Sequence, residues 1–131
     1  MIIAMKELTK AEEQIMQVLW RLEKAIVRDV VEDLPEPRPA YNTVSTVVRI
    51  LEKKGFVSHR AYGKTHEYFP VVSRDEYRKS YVKSFIRRYF GNSFQEMVSF
   101  FASGRDVSLQ ELEEVRRLLH EEIAKQRGED R

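Results

Sequence analysis

Residues 42–69, NTVSTVVRILEKKGFVSHRAYGKTHEYF, change their apolar period halfway along. Val44, Val47, Val48 and Leu51 fall at i, i+3, i+4 and i+7, the spacing that lines a single stripe of an α-helix. Gly55 follows where that helix should stop, because glycine readily takes the left-handed backbone just past a last turn. From there the period drops to two. Residues 56–61 and 65–69 are β-prone runs, and Tyr62-Gly63-Lys64 between them supplies the glycine a tight turn wants. The segment reads as an amphipathic helix running directly into a β-hairpin.

Upstream, the same helical template occurs at Ile15/Val18/Leu19/Leu22 and at Val27/Val30/Val31/Leu34. Pro35, Pro37 and Pro39 separate the second of these from the third helix, since proline cannot continue a helix interior. Downstream, Pro70 ends strand pairing, a long helix runs from Ser73 to about Phe90, and Gly91-Asn92 halts it. A further template lies at Phe94/Met97/Val98/Phe101. Helix starts are marked by Ser/Thr-x-x-Glu at Thr9–Glu12, Ser73–Glu76, Ser93–Glu96 and Ser108–Glu111. In such a box the hydroxyl accepts from the third backbone N–H while the carboxylate accepts from the cap's own. Three short helices and a hairpin, in that order, make a winged helix-turn-helix. The expected fold is mainly α with a small β-hairpin: a winged-helix domain over 1–72 and a helical dimerisation region over 73–131.

The 131 residues amount to about one domain's worth of chain, with 42% hydrophobic and 34% charged side chains and no cysteine. Thiolate catalysis, disulfide frameworks and cysteine-based metal sites are excluded by that count. No apolar run approaches the roughly 20 residues of a membrane span, and Met1-Ile2-Ile3-Ala4-Met5 is too short for a signal sequence, so a cytoplasmic protein without membrane insertion is expected. Net charge is only +2, but it is unevenly placed. Residues 1–37 and 89–131 are acidic, while 38–72 and 73–88 are each net basic. A polyanion responds to such local fields rather than to the total.

The third helix gives the basic middle a use. With Val44, Val47, Val48 and Leu51 inward, 100° per residue puts Asn42, Ser45, Thr46, Arg49 and Lys53 on the opposite face, which holds no acid. Asn and Arg can bond bidentately to adenine and guanine edges in the major groove, and Ser or Thr can serve bases or phosphates. Thr43, Lys54 and Arg38 flank this face as phosphate contacts, and Arg60 and Lys64 at the hairpin tip would reach a neighbouring backbone or minor groove. The expected partner is a double-stranded DNA operator. The rival reading is a winged-helix module that binds another protein without sequence-specific DNA binding.

The second half has a different task. Tyr77, Tyr81, Phe85 and Tyr89 recur every four residues along one helix, Phe94, Met97, Val98 and Phe101 line the next, and Leu112, Val115 and Leu119 the last. Short connected helices carrying this much apolar surface are expected to bury it against a second copy, making a homodimer. Dimeric half-sites one DNA turn apart, or a multiple, would imply a two-fold symmetric operator.

Enzymatic readings find little support. His59, His66 and His120 are the only histidines. His59 and His66 should face each other across the hairpin with Glu67 near, but two strand histidines and a carboxylate lack any fixed ligand spacing, so no metal and no cofactor are expected. No phosphate-cradling glycine loop is present, and Glu12-Glu13 and Glu113-Glu114 read as acid pairs on exposed helix faces. No nucleophile is assembled with a base, and the chain is not read as an enzyme.

Residues 9–20, TKAEEQIMQVLW, and 42–57, NTVSTVVRILEKKGFV, resemble the opening helix and the recognition helix with first wing strand of the penicillinase repressor family (BlaI/MecI/CopY), with Tyr68 and Pro70 matching its second strand. The resemblance covers about residues 6–120. It implies a dimeric winged-helix repressor of palindromic operators, with genes of the β-lactam response among the targets and a sensor-triggered protease as a further partner. The copper-responsive members carry a C-terminal cysteine cluster, which this chain lacks. In the penicillinase repressors the scissile bond joins Asn to Phe in the short helix matching 94–102; here the dipeptide is Phe100-Phe101.

Overall fold

The computed structural model describes residues 7–128; the reading of the first five residues lies outside them. Its elements run α1 (Lys10–Leu22), β1 (Ala25–Ile26), α2 (Val27–Asp33), α3 (Tyr41–Lys53), β2 (Val57–Tyr62), β3 (Thr65–Pro70), α4 (Arg74–Phe90), α5 (Phe94–Ser103) and α6 (Leu109–Gln126). This is the expected class, mainly helical with a small antiparallel sheet. The chain divides into two compact units, up to Val82 and from Lys83, with the boundary inside α4.

In the first unit, α1, α2 and α3 turn their apolar stripes to one core of Ile15, Met16, Val18, Leu19, Val30, Val44, Val48 and Leu51, closed from the sheet side by Phe56, Val57 and Tyr68. Gly55 takes φ +87° after α3, as its place past the last turn requires. The wing is a two-residue hairpin: Tyr62 pairs with Thr65, and Gly63, at φ +63°, occupies the first turn position. That is where a hairpin turn twisted to match its strands needs glycine. The sheet has a third strand that periodicity did not predict. Ala25 and Ile26 pair with Tyr68 and Glu67, giving the order β1-β3-β2. Two residues are too few to display a period, and only the presence of β3 gives them partners.

The helix boxes behave as their chemistry dictates. At Thr9, Ser73 and Ser108 both halves of the reciprocal cap form, with distances of 2.9–3.2 Å. At Ser93 the hydroxyl accepts from Glu96 N–H at 3.1 Å.

Two readings are corrected in this unit. Glu12, read as an exposed acid, is only 5% exposed. Its oxygens accept both from Thr9 N–H and from the Lys54 ammonium, at 2.8 and 2.9 Å. Tyr77, read as a dimer contact, is 7% exposed and belongs to the winged-helix core. Its ring meets Trp20 and Phe56 at 6.0 and 5.7 Å, and its hydroxyl oxygen accepts from Leu8 N–H at 3.0 Å. The start of α4 therefore serves the first unit, because one buried ring anchors it there.

In the second unit, Phe85 packs against Tyr89 and Phe90, and Phe90 against Phe100. No side chain of α5 or α6 is fully buried. Tyr89, Phe94, Val98, Phe101, Val115, Leu118, Leu119 and Ile123 are all exposed in the single chain.

Candidate nucleic-acid interface

Proline at 35, 37 and 39 ends the α2 segment and lets α3 begin afresh at Tyr41, with Ala40 as a cap that offers no side-chain bond. Because Val44, Val48 and Leu51 are fully buried, the helix cannot rotate, and Asn42, Thr43, Thr46, Arg49 and Lys53 are held outward while Ser45 is half-buried. The one acid of α3, Glu52, is turned to the wing, where its carboxylate lies 2.8 Å from His59 Nδ1. The outer face therefore stays free of acid. Two of its polar groups lean on the helix itself: the Thr46 hydroxyl donates to Asn42 carbonyl at 2.9 Å, and Arg49 Nε donates to Ser45 carbonyl at 3.4 Å.

Between α3 and the wing lies an open cleft of about 470 Å³. Arg28 from α2, Arg49 from α3 and Lys64 from the hairpin turn line it, with Tyr41, His66 and Tyr68. No carboxylate is among the described residues that line it. Three cations around a concave, acid-free recess create a positive field that suits a phosphodiester backbone. The Tyr68 phenol, at the inner wall, titrates above its ordinary range: burial raises it first, the Glu52 charge adds to this, and Arg49 works against both.

The wing histidines do meet. His59 and His66 stack at 4.1 Å between ring centres, 12° from parallel. The carboxylate beside them is Glu52, not Glu67, which pairs in register with Arg60 on the other side of the hairpin. Side chains alternate across a strand, so His59 faces α3 and Arg60 faces away.

The expected cationic residues accordingly separate. Arg49 and Lys64 share the cleft. Lys53 is exposed on the outer face. Arg60 instead lines a different recess with Glu23, Lys24 and Glu67. Arg38 stays in the proline segment, donating to Leu34 carbonyl and paired with Glu36 at 3.3 Å. Lys54 is directed inward to Glu12, which makes it part of the clamp between α1 and α3 rather than of the outer face. Burial raises the Glu12 carboxyl, but the Lys54 hydrogen bond, the Thr9 N–H and the Lys54 charge together bring it below its ordinary value. Sequence reasoning did not single out Arg28 and Tyr41, and it placed His66 beside His59 but not in this cleft. Tyr41 follows from the start of α3, whereas Arg28 and His66 join the cleft only through the tertiary arrangement.

Residues 8–121 match the family described as penicillinase repressor. The chain is 27% identical over 115 residues to the methicillin resistance regulatory protein MecI of Mammaliicoccus sciuri, covering 87% of this chain and 94% of that one. It is 25% identical over 116 residues to the penicillinase repressor of Bacillus licheniformis, covering 88% and 91%. The solution structure of the DNA binding domain of the repressor BlaI aligns with 54% of this chain and 88% of its own at a TM-score of 0.48 and 25% identity. Because the family match spans nearly the whole sequence, from the first helix to the last, the chain belongs to the penicillinase repressor family.

Proposed function

We propose that this chain is a DNA-binding transcriptional repressor that works as a homodimer in the cytoplasm on an operator with two-fold symmetry. The observation that carries the reading is the outer face of α3, exposed, acid-free and bordered by a cleft whose charged lining is entirely cationic. Such a helix enters the major groove with Asn42, Thr46 and Arg49 toward base edges, while Thr43, Lys53, Lys64 and Arg28 take phosphates. Membership of a family whose relatives are named repressors supports the regulatory role. No helix among the described residues is long and apolar enough to cross a membrane.

The apolar side chains of α4–α6 supply the dimer contacts in this reading: the exposed Tyr81, Tyr89, Phe94, Val98, Phe101, Val115 and Leu119, with the half-buried Phe85, Met97 and Leu112 beside them. Two copies joined there carry two α3 helices, so half-sites recur one DNA turn apart or a multiple of it.

A salt series on duplex DNA tests the proposal. The affinity for a selected operator should fall steeply with salt, with a log–log slope of several units for roughly 6–10 neutralised phosphates. Weak binding, equal for every sequence, would favour the rival module that docks on protein. Release by a sensor-triggered protease is the finer part of the proposal. Phe100, 64% exposed, and Phe101 lie in α5, but Phe100 stands where the family's scissile bond has Asn, so incubation with a cognate sensor tests whether a cut falls within 95–105. A chain that stays intact there would remove that mode of release.

A further inference from the structure

Ile50 is out of place for a side chain of its kind. It lies on α3 just before the buried Leu51, yet it is 40% exposed and has no part in the hydrophobic cluster, whereas Val47 on the inner side packs against that cluster. Helical geometry puts it one turn beyond Thr46 and two beyond Asn42, on the outer face, with Arg49 and Lys53 beside it. The Thr46 hydroxyl spends its donor on Asn42 carbonyl. Between Asn42 and Lys53, that line of the outer face presents a β-branched hydrocarbon.

We propose that Ile50 is a specificity-determining residue that selects thymine at one position of each half-site by packing on its C5-methyl group. This rests on the reading that α3 occupies the major groove. Among the groups displayed there, the thymine methyl is the one apolar element; adenine, guanine and cytosine offer only donors and acceptors. A hydrocarbon side chain can make no bond to those edges, and covering them would strip water from polar atoms without replacing it. Ile50 therefore favours thymine by contact and disfavours the other bases by desolvation. Asn42 and Arg49 read polar edges on the same face, so one helix combines hydrogen-bond and methyl recognition.

The test begins with selection of bound duplexes from a random pool by the full chain, followed by replacement of each thymine in the enriched site with deoxyuridine, which removes the methyl alone. At one thymine per half-site the replacement should weaken wild-type binding about fourfold, the worth of one buried methyl-sized group. The exposed Ile50→Ala chain, checked for an unchanged melting temperature, should bind the thymine site about as weakly and be indifferent to that deoxyuridine. If no deoxyuridine weakens the wild type, or if Ile50→Ala keeps the full penalty, the methyl contact is refuted while DNA recognition stands. If the wild type enriches no sequence at all, the repressor reading falls and this proposal with it.

Discussion

At the scale of single residues, neighbours in sequence have opposite fates. Lys53 and Lys54 are both cations at the end of α3, but 100° of helix rotation sends one to solvent and the other toward the N-terminus of α1. There Glu12 is buried and doubly engaged, capping its own helix and accepting from Lys54. Replacing Lys54 by Met leaves a buried carboxylate with one partner fewer and should cost about 2 kcal/mol. That is less than the roughly 3–5 of a wholly buried pair because the Lys54 side chain keeps 22% of its exposure. The effect should depend on pH in a defined direction. The folded Glu12 carboxyl titrates below its unfolded value, so its contribution is complete above the ordinary carboxylate range and disappears as pH falls through the folded value. Thermal melts at neutral and acidic pH should show the gap between wild type and Lys54→Met closing on acidification. A gap that stays constant would mean the ion pair is not its source.

At the scale of elements, the proposed reading divides DNA recognition between α3 and the wing. Arg49 stands on the helix face proposed to meet bases, and Lys64 on the turn proposed to meet the backbone. Arg49→Ala should lose about 1–3 kcal/mol of operator affinity and relax preference at one base position. Lys64→Ala should weaken all sequences alike and lower the salt slope by about one. Titration of both variants against the selected duplex and against point variants of it separates the roles; an Arg49→Ala loss equal on operator and random DNA would make Arg49 a phosphate contact. The helix, its stop at Gly55 and the hairpin were legible because each follows from a local signal: a period, a left-handed glycine, a change of period. β1 was not, since two residues carry no period and its pairing depends on Tyr68 and Glu67, over forty positions away.

For the whole molecule the question is what covers the second unit. α5 and α6 bury no side chain in the single chain, and exposed aromatic and aliphatic groups on this scale mark an association surface. Leu119→Glu, placed on the last helix, should shift the protein from dimer to monomer in sedimentation equilibrium and leave the melting of the first unit unchanged. It should also cut operator affinity sharply, because two tethered reading heads gain from effective concentration. A variant that remains dimeric would move the contact away from α6.

Local structure was readable along the chain: which residues start helices, where the period turns from helix to strand, and which face of α3 must be outward once its valines are inward. Those follow from backbone chemistry and from spacing within a few residues. Which polar groups meet across different elements, by contrast, depended on the packing. It sent Lys54 to Glu12, set Glu52 against His59, drew Tyr77 into the first core, and brought Arg28, Arg49 and Lys64 around one cleft while Arg60 turned away. Charge and aromatic character are visible along a chain, but the direction a side chain faces across two packed elements is fixed only by the packing that buries their shared core.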